Sequence, residues 1–268
     1  MSHRLAKYLP PQLFDAILTG DQSDEAIAKR KKLTVFFSET VGFTEITDRL
    51  ESEELSALLN RYLTEMSSIA EAHCGTVDKF IGDAVVVFFG DPETKGVKED
   101  ASACVRMAIA MQNRVQELKQ EWLDLGLEDT FDLRVGINTG YCTVGNFGSD
   151  KRMDYTIIGG EVNLAARLES AADVGGILLA NETFALVKDW VTAGEGAPLT
   201  VKGFARPVRT FKLRNVAEYL TPAVPRFQRI EPHLSLTMNT DLMNDAEKTR
   251  SATVLREALD RIERRDAE

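Results

Sequence analysis

Two hydrophobic periods alternate along the chain, and each change of period marks an element. Leu33 to Ser38 is a β-rich run bounded by charge and predicts a strand, after which Gly42 opens a turn into a helix. Leu55, Leu58, Leu59, Tyr62, Met66, Ile69 and Ala70 recur at helical spacing, which predicts a long amphipathic helix from about Ser52 to His73 with its stripe in the core. Gly75 is the expected stop. Thr76 to Phe80 and Asp83 to Phe89 are β-rich again, split by Ile81-Gly82 in the pattern of a tight hairpin and ended by Asp91-Pro92.

Cys104, Ala108, Met111, Val115, Leu118 and Trp122 return to spacings of three and four, predicting a second long helix from about Glu99 to Asp124. Phe131 to Asn138 and Cys142 to Phe147, joined by Thr139-Gly140-Tyr141, predict a second hairpin. A short helix near Val162 to Ala171, a strand at Ile177 to Leu179, a short helix after Asn181 and strands around Leu199 to Val201 and Arg209 to Leu213 complete the body. This order describes an α+β fold, a mixed β-sheet covered by helices. The predicted organisation is an N-terminal helix and linker stub over 1–31, a main domain over 32–215 and a C-terminal extension over 216–268. In the stub, Gln12 to Leu18 predicts a short helix and Lys29 to Lys32 a basic hinge. Beyond Val216 the text is Pro-bearing and irregular, up to a final amphipathic helix carrying Leu255, Leu259 and Ile262.

Charge narrows the function classes. With 32 Lys plus Arg against 42 Asp plus Glu, the net charge of -10 argues against a nucleic-acid surface, so an anionic substrate must meet local cations or metal. The longest apolar run, Ala84 to Phe89, has the length of a strand and not of a membrane span. Cys74, Cys104 and Cys142 are odd in number and lack a CxxC pair, which indicates neither a disulfide framework nor a zinc site and makes a reducing cytoplasm the expected compartment. No apolar signal region opens the sequence.

Two carboxylates sit where core residues do not: Glu39 at the end of the first strand and Asp83 at the first hairpin turn. If those strands are neighbours, both acids meet at one edge, and the physical reason to gather two carboxylates is to hold divalent cations. Asn163 and Arg167 fall four apart on the short helix, so both face outward beside an apolar face made by Leu164, Ala165, Leu168 and Ala171. Taken singly, each of these is also the ordinary pattern of a solvated surface.

The surrounding text is more specific. Phe36-Phe37-Ser38-Glu39-Thr40-Val41-Gly42-Phe43-Thr44, then Asp78-Lys79-Phe80-Ile81-Gly82-Asp83-Ala84, then Arg134-Val135-Gly136-Ile137-Asn138-Thr139-Gly140 together resemble the class III nucleotide cyclase domain. The resemblance continues through Tyr155-Thr156-Ile157-Ile158-Gly159, Asn163, Ala166, Arg167 and Val201-Lys202-Gly203, and so spans about Leu33 to Leu213. It implies a ferredoxin-like-related sheet in a two-fold homodimer, with two divalent cations, Mg2+ or Mn2+, on Glu39 and Asp83. The family usually has two aspartates there, so Glu39 is a departure that adds a methylene. The resemblance further implies that Asn163 and Arg167 orient the ribose and stabilise the pentavalent phosphate, and that Lys202 and Arg134 hold the outer phosphates. It places Gly42, Phe43 and Thr44 against the substrate and makes Lys79 and Thr156 the purine-reading pair. Lysine donates to an unprotonated ring nitrogen of adenine, and threonine accepts from its exocyclic amine or donates as needed, whereas guanine presents the reverse pattern and suits an acidic partner, so ATP is the expected substrate and cyclic AMP the product. Lys with Thr resembles the subgroup associated with bicarbonate stimulation.

Lys79 and Asp83 are four residues apart on one hairpin, yet a purine and its phosphates sit roughly ten ångströms apart, so the two more naturally serve different nucleotides across a two-fold axis. Glu39, Asp83 and Arg134 are then expected from one protomer and Lys79, Thr156, Asn163, Arg167 and Lys202 from its partner. Residues 1–30 read as the stub of a link to an upstream sensor. Two other readings compete. Gly159-Gly160-Glu161-Val162 superficially resembles the signature of diguanylate-forming enzymes, but a helical pattern follows at once, and Gly145 to Lys151 does not give a phosphate-binding P-loop. From a different class, a cyclase-like module that binds nucleotide and regulates a partner without turnover is what decay at Glu39 would leave.

Overall fold

Lys29–Val41 forms β1, the strand on which the sheet is assembled in the computed structural model, which describes residues 28–47, 49–124, 131–149, 152–214, 227–231, 234–238, 248 and 250–256. The following elements are α1 (Phe43–Thr47), α2 (Ser52–Ala72), β2 (Thr76–Ile81), β3 (Ala84–Phe89), α3 (Val97–Asp124), β4 (Asp132–Ser149) and β5 (Arg152–Ile158). Then come α4 (Gly160–Ala171), β6 (Ile177–Ala180), α5 (Asn181–Val187), β7 (Ala193–Glu195) and β8 (Thr210–Leu213). One sheet takes the order β2-β3-β1-β4-β6-β8-β7, with β5 paired to β4 beyond that path. The β4–β6 contact is parallel and the rest are antiparallel, so the fold is α+β with a mixed sheet.

Alternation along β1 assigns its two faces to two cores. Phe36 packs with Tyr62 and Met66 of α2 and with Met107, Met111, Leu118 and Trp122 of α3. Leu33 and Val35 point the other way, toward Phe88, Cys142, Val144, Ile157 and Ala165 of α4. Phe131 is the hub of an aromatic cluster, with its ring centroid 4.9 Å from Trp122, 5.3 Å from Tyr62 and 6.2 Å from Phe43. Edge-on aromatic pairs contribute about 1 kcal/mol each beyond their buried area, and here they fix the entry to α1 just after Gly42, whose φ of 93° only glycine takes without strain.

Several sequence expectations are corrected. The basic run Lys29 to Lys32 is not a hinge but the start of β1, held by pairing with Val144 to Tyr141 of β4. Thr139-Gly140-Tyr141 is not a turn, because β4 runs unbroken for 18 residues with Thr139 and Gly140 buried, and the hairpin partner of its second half is β5, which the sequence reading did not mark as a strand. Gly75 does not terminate α2 by taking a left-handed conformation. Cys74 takes it, with φ 62°, and the Gly75 amide closes back onto the Ala70 carbonyl at 2.8 Å. Glycine follows for want of space, since a Cβ there would lie 2.8 Å from Phe89 and from Val87. Leu199 to Val201 gives only a single bridge, Leu199 to Val208, and β7 was not anticipated.

The chain divides into two compact units, Met1–Leu220 and Thr221–Glu268. In the second unit Phe227–Glu231 and Leu234–Met238 pair as a two-stranded antiparallel sheet, where an irregular tail was expected, and residues 250–256 are helical as predicted around Leu255. The helix predicted at Gln12 to Leu18, and Leu259 and Ile262, lie outside the described residues. No described helix is long and apolar enough to cross a membrane.

One contact sets the distance between α4 and the sheet. A Cβ on Gly136 would lie 2.2 Å from the Ala165 carbonyl oxygen and 2.2 Å from the Glu169 amide, both backbone atoms that cannot rotate aside. Gly136→Ala is therefore expected to cost about 3 kcal/mol and to lower Tm by roughly 10 °C in thermal unfolding. Gly160→Ala, whose Cβ meets only Phe204 at 3.8 Å, should change stability by less than about 0.5 kcal/mol.

Candidate active site

The close approach at Gly136 brings α4 over the end of β1 and builds the first group of site residues. Glu39 continues the β1 face that carries Leu33 and Val35, and the antiparallel register sets it opposite Arg134 of β4. Arg134 donates from Nη2 to Glu39 Oε2 at 3.2 Å and from Nε to Glu169 Oε1 at 3.0 Å. The two acids are unequal: Glu39 is 44% exposed and Glu169 only 2%. Burial raises the Glu169 carboxyl above its ordinary range; the Arg134 charge opposes this and the Glu39 charge adds to it. One edge of the guanidinium is thus held by a buried partner, while the other rests on a carboxylate that water reaches.

Asp83 occupies the turn between β2 and β3, itself a turn residue and not the first residue of β3. Its Oδ2 accepts the Thr40 amide at 2.9 Å and the Thr40 hydroxyl at 2.5 Å. Since Thr40 follows Glu39, the two predicted metal-binding acids stand at the same end of the paired strands β1 and β3. Below them the Tyr62 phenol and the Ser38 hydroxyl are buried without a hydrogen-bond partner of good geometry, and burial, with a contribution from the Asp83 charge, pushes the phenol up.

A second group forms around β2. The strand slips register between Val77 and Lys79, leaving Asp78 as an extra, unpaired residue. Bulges re-aim side chains, and here Asp78 turns inward, its side chain 1% exposed, while Lys79 stays 46% exposed with Nζ 3.4 Å from Asp78 Oδ2. Thr156 of β5 is buried beside Asp78. Burial raises the Asp78 carboxyl, against the opposing effects of the Thr156 hydroxyl, Lys79 and the Ile157 amide.

The remaining predicted residues lie on other segments. Asn163 and Arg167 are exposed on α4, Lys202 is exposed after Val201, and among the described residues no hydrogen bond or ion pair ties them to Glu39, Asp83 or Arg134. Gly42 and Phe43 lie at the start of α1; Thr44 is in α1, with its side chain outside the described positions. A cavity of about 740 Å³, lined by Asn138, Gly140, Glu161, Phe204 and Arg206 among others, contains none of the predicted residues. Sequence reasoning missed Glu169 and assigned no role to Asp78. Glu169 had a signal, since a charge one turn after Ala165 falls on the buried stripe of α4. Asp78 had none, because a bulge leaves the local β pattern intact.

The family model for the adenylate and guanylate cyclase catalytic domain matches residues 26–215. The chain is 32% identical over 188 residues to adenylate cyclase 1 of Rhizobium meliloti, a match that covers 69% of this chain but 28% of that protein, so the chain spans less than a third of that relative's length. The crystal structure of the adenylyl cyclase CyaB from P. aeruginosa superposes with a TM-score of 0.68 at 56% identity, covering 70% of this chain and 95% of that one. The crystal structure of a guanylyl cyclase superposes with a TM-score of 0.65 at 34% identity, covering 69% of this chain and 93% of that one. Three motifs in order, one sheet topology and these matches agree, and the chain belongs to the class III adenylate and guanylate cyclase catalytic domain family.

Proposed function

We propose that this chain is an adenylate cyclase, converting ATP to 3',5'-cyclic AMP and pyrophosphate in sites shared between two copies. The observation that carries the choice of base is that Lys79 of β2 and Thr156 of β5, on strands that meet edge to edge, converge on one buried carboxylate, Asp78. A lysine donor and a threonine acceptor side by side match the ring nitrogen and exocyclic amine of adenine. The 56% identity to an adenylyl cyclase, against 34% to a guanylyl cyclase, supports the same choice.

Glu39 and Asp83 offer hard oxygen donors at one end of adjacent strands, a donor set that fits Mg2+ or Mn2+. Bound there, divalent cations supply activation of the ribose 3'-hydroxyl and neutralisation of charge on the triphosphate. Arg134 holds one guanidinium edge on Glu169 and turns the other from Glu39 to a phosphate oxygen. The 3'-hydroxyl attacks the α-phosphorus and pyrophosphate leaves, with Asn163 and Arg167 steadying the ribose and the pentavalent phosphorus and Lys202 holding the outer phosphates. Among the described residues no hydrogen bond or ion pair joins those three to the acids within one chain, and we assign them, with Lys79 and Thr156, to the partner copy. Exposed apolar side chains on β2 and β5, namely Phe80, Ile81, Met153 and Ile158, give the second copy a surface to cover. The Glu39–Arg134 pair also favours a second reading, a nucleotide-binding module without turnover, since that carboxylate is already engaged.

The purified chain with ATP and Mg2+ or Mn2+ should release cyclic AMP, measured by chromatography, and Asp83→Asn should lower turnover by on the order of 100-fold. Nucleotide binding without product under either metal would establish the second reading instead. Glu39→Asp withdraws the carboxylate from Arg134 by one methylene and is expected to keep or raise turnover at saturating metal; a large fall would show a site built around the longer acid. Mixing Asp83→Ala chains with Asn163→Ala chains should regenerate one working site per heterodimer, and a mixture that stays inactive would count against sharing.

A further inference from the structure

Asp78 and Thr156 each bury a polar atom that has no hydrogen-bond partner of good geometry among the described residues. Asp78 Oδ1 and Thr156 Oγ1 lie in the interior without a hydrogen-bond partner of good geometry, although the two side chains are neighbours. Such atoms cost free energy, and a pair of them side by side calls for a reason. The carboxylate is there by construction. A regular β2 would alternate, whereas the slip between Val77 and Lys79 inserts Asp78 as the extra residue and turns its side chain inward to 1% exposure.

The chemistry of the two groups differs in a useful way. A threonine hydroxyl has one proton and two lone pairs, so it reads a donor or an acceptor equally well and by itself separates adenine from guanine poorly. A carboxylate paired with a lysine only accepts. Lys79 Nζ lies 3.4 Å from Asp78 Oδ2, and toward the same carboxylate the neighbouring Thr156 hydroxyl interacts favourably only as a hydrogen-bond donor. Thr156 then presents lone pairs alone to whatever lies beyond it.

We infer that Asp78 is a specificity-determining residue: it accepts a hydrogen bond from the Thr156 hydroxyl, leaves only that hydroxyl's lone pairs free to meet the base, and so selects a purine with an exocyclic amine over one with a carbonyl. The inference rests on the adenine-reading role proposed above for Lys79 and Thr156 and deepens it. Asp78 touches neither base nor phosphate; it acts through Thr156 on one side and steadies Lys79 on the other. A purine carbonyl facing the fixed acceptor leaves two acceptors opposed and unpaired, and this kind of mismatch is what discriminates strongly in a closed site.

Asp78→Asn and Asp78→Leu are both close to the native side chain in size, and the leucine removes the buried charge in favour of apolar packing, which interiors tolerate well. For each variant, displacement of a fluorescent nucleotide by ATP or by GTP gives a binding ratio that needs no turnover, and kcat/KM for the two nucleotides gives the catalytic ratio. Both variants are expected to narrow the preference for ATP over GTP about 10-fold, mainly through better acceptance of GTP, with dimer content unchanged by sedimentation. Thr156→Val should narrow it similarly, and adding Asp78→Asn to that background should change it no further, because the two act as one unit. A wild-type preference for ATP that survives intact in a folded Asp78 variant would overturn this inference and leave the adenylate cyclase reading standing. A wild-type chain that prefers GTP would overturn both. Binding that favours ATP without any cyclic product sinks only the catalytic reading, and the binding ratios of the variants then decide the role of Asp78.

Discussion

The antiparallel register of β1 against β4 is the constraint on which the rest of the site depends. The strands pair from Lys29 opposite Val144 to Val41 opposite Asp132, and within that ladder Glu39 meets Arg134. Because side chains alternate, a slip of one residue would send Glu39 and Arg134 to opposite faces and at the same time expose Phe36 or bury charge. The hydrophobic demands of the two cores therefore hold the charged residues in place. Leu33 and Val35 require the α4 side, Phe36 requires the α2 and α3 side, and Glu39 follows from both. Gly136 completes the arrangement by letting the backbone of α4 approach until Glu169 reaches Arg134.

Buried charge organises the site twice, each time against an energetic preference. Glu169 and Asp78 are nearly inaccessible, and burial pushes both carboxyls up from their ordinary range. Neither makes the fold more stable than a well-packed apolar residue would, since removing an ion from water costs several kcal/mol and its partner only partly offsets this. Glu169 instead holds one edge of the half-buried Arg134 guanidinium, and Asp78 stands between Lys79 and Thr156. Asp83 is held differently, by an amide and a hydroxyl of Thr40 at the sheet end, which ties its turn to the strand that carries Glu39.

The electrostatic problem set by the composition is thereby given a local answer. A chain with a net charge of -10 repels a triphosphate at long range. The cations proposed to meet such a ligand, Lys79, Arg134, Arg167 and Lys202, lie on β2, β4, α4 and the segment after Val201. A site completed by a second copy, as proposed, would bring cations from both sides to one ligand.

Elements with a strong period, and the family to which the motifs belong, could be read from the chain without its fold. The stripes of α2 and α3, the hairpin around Gly82 and the order of the motifs were legible because apolar spacing and glycine turns are local properties. Composition misled at β4, where Thr139-Gly140-Tyr141 has the make-up of a turn but lies in mid-strand with Thr139 and Gly140 buried, because pairing with β1 on one side outweighs a local preference. Tertiary structure alone decided which polar residues meet. Arg134 and Glu169 are 35 positions apart and join only because α4 lies on Gly136. Asp78 reaches Thr156 only because β2 bulges where its sequence shows nothing unusual. Contacts of this kind are set by register, bulges and close backbone approach, which depend on how strands and helices stack and are not encoded in any short window of the chain.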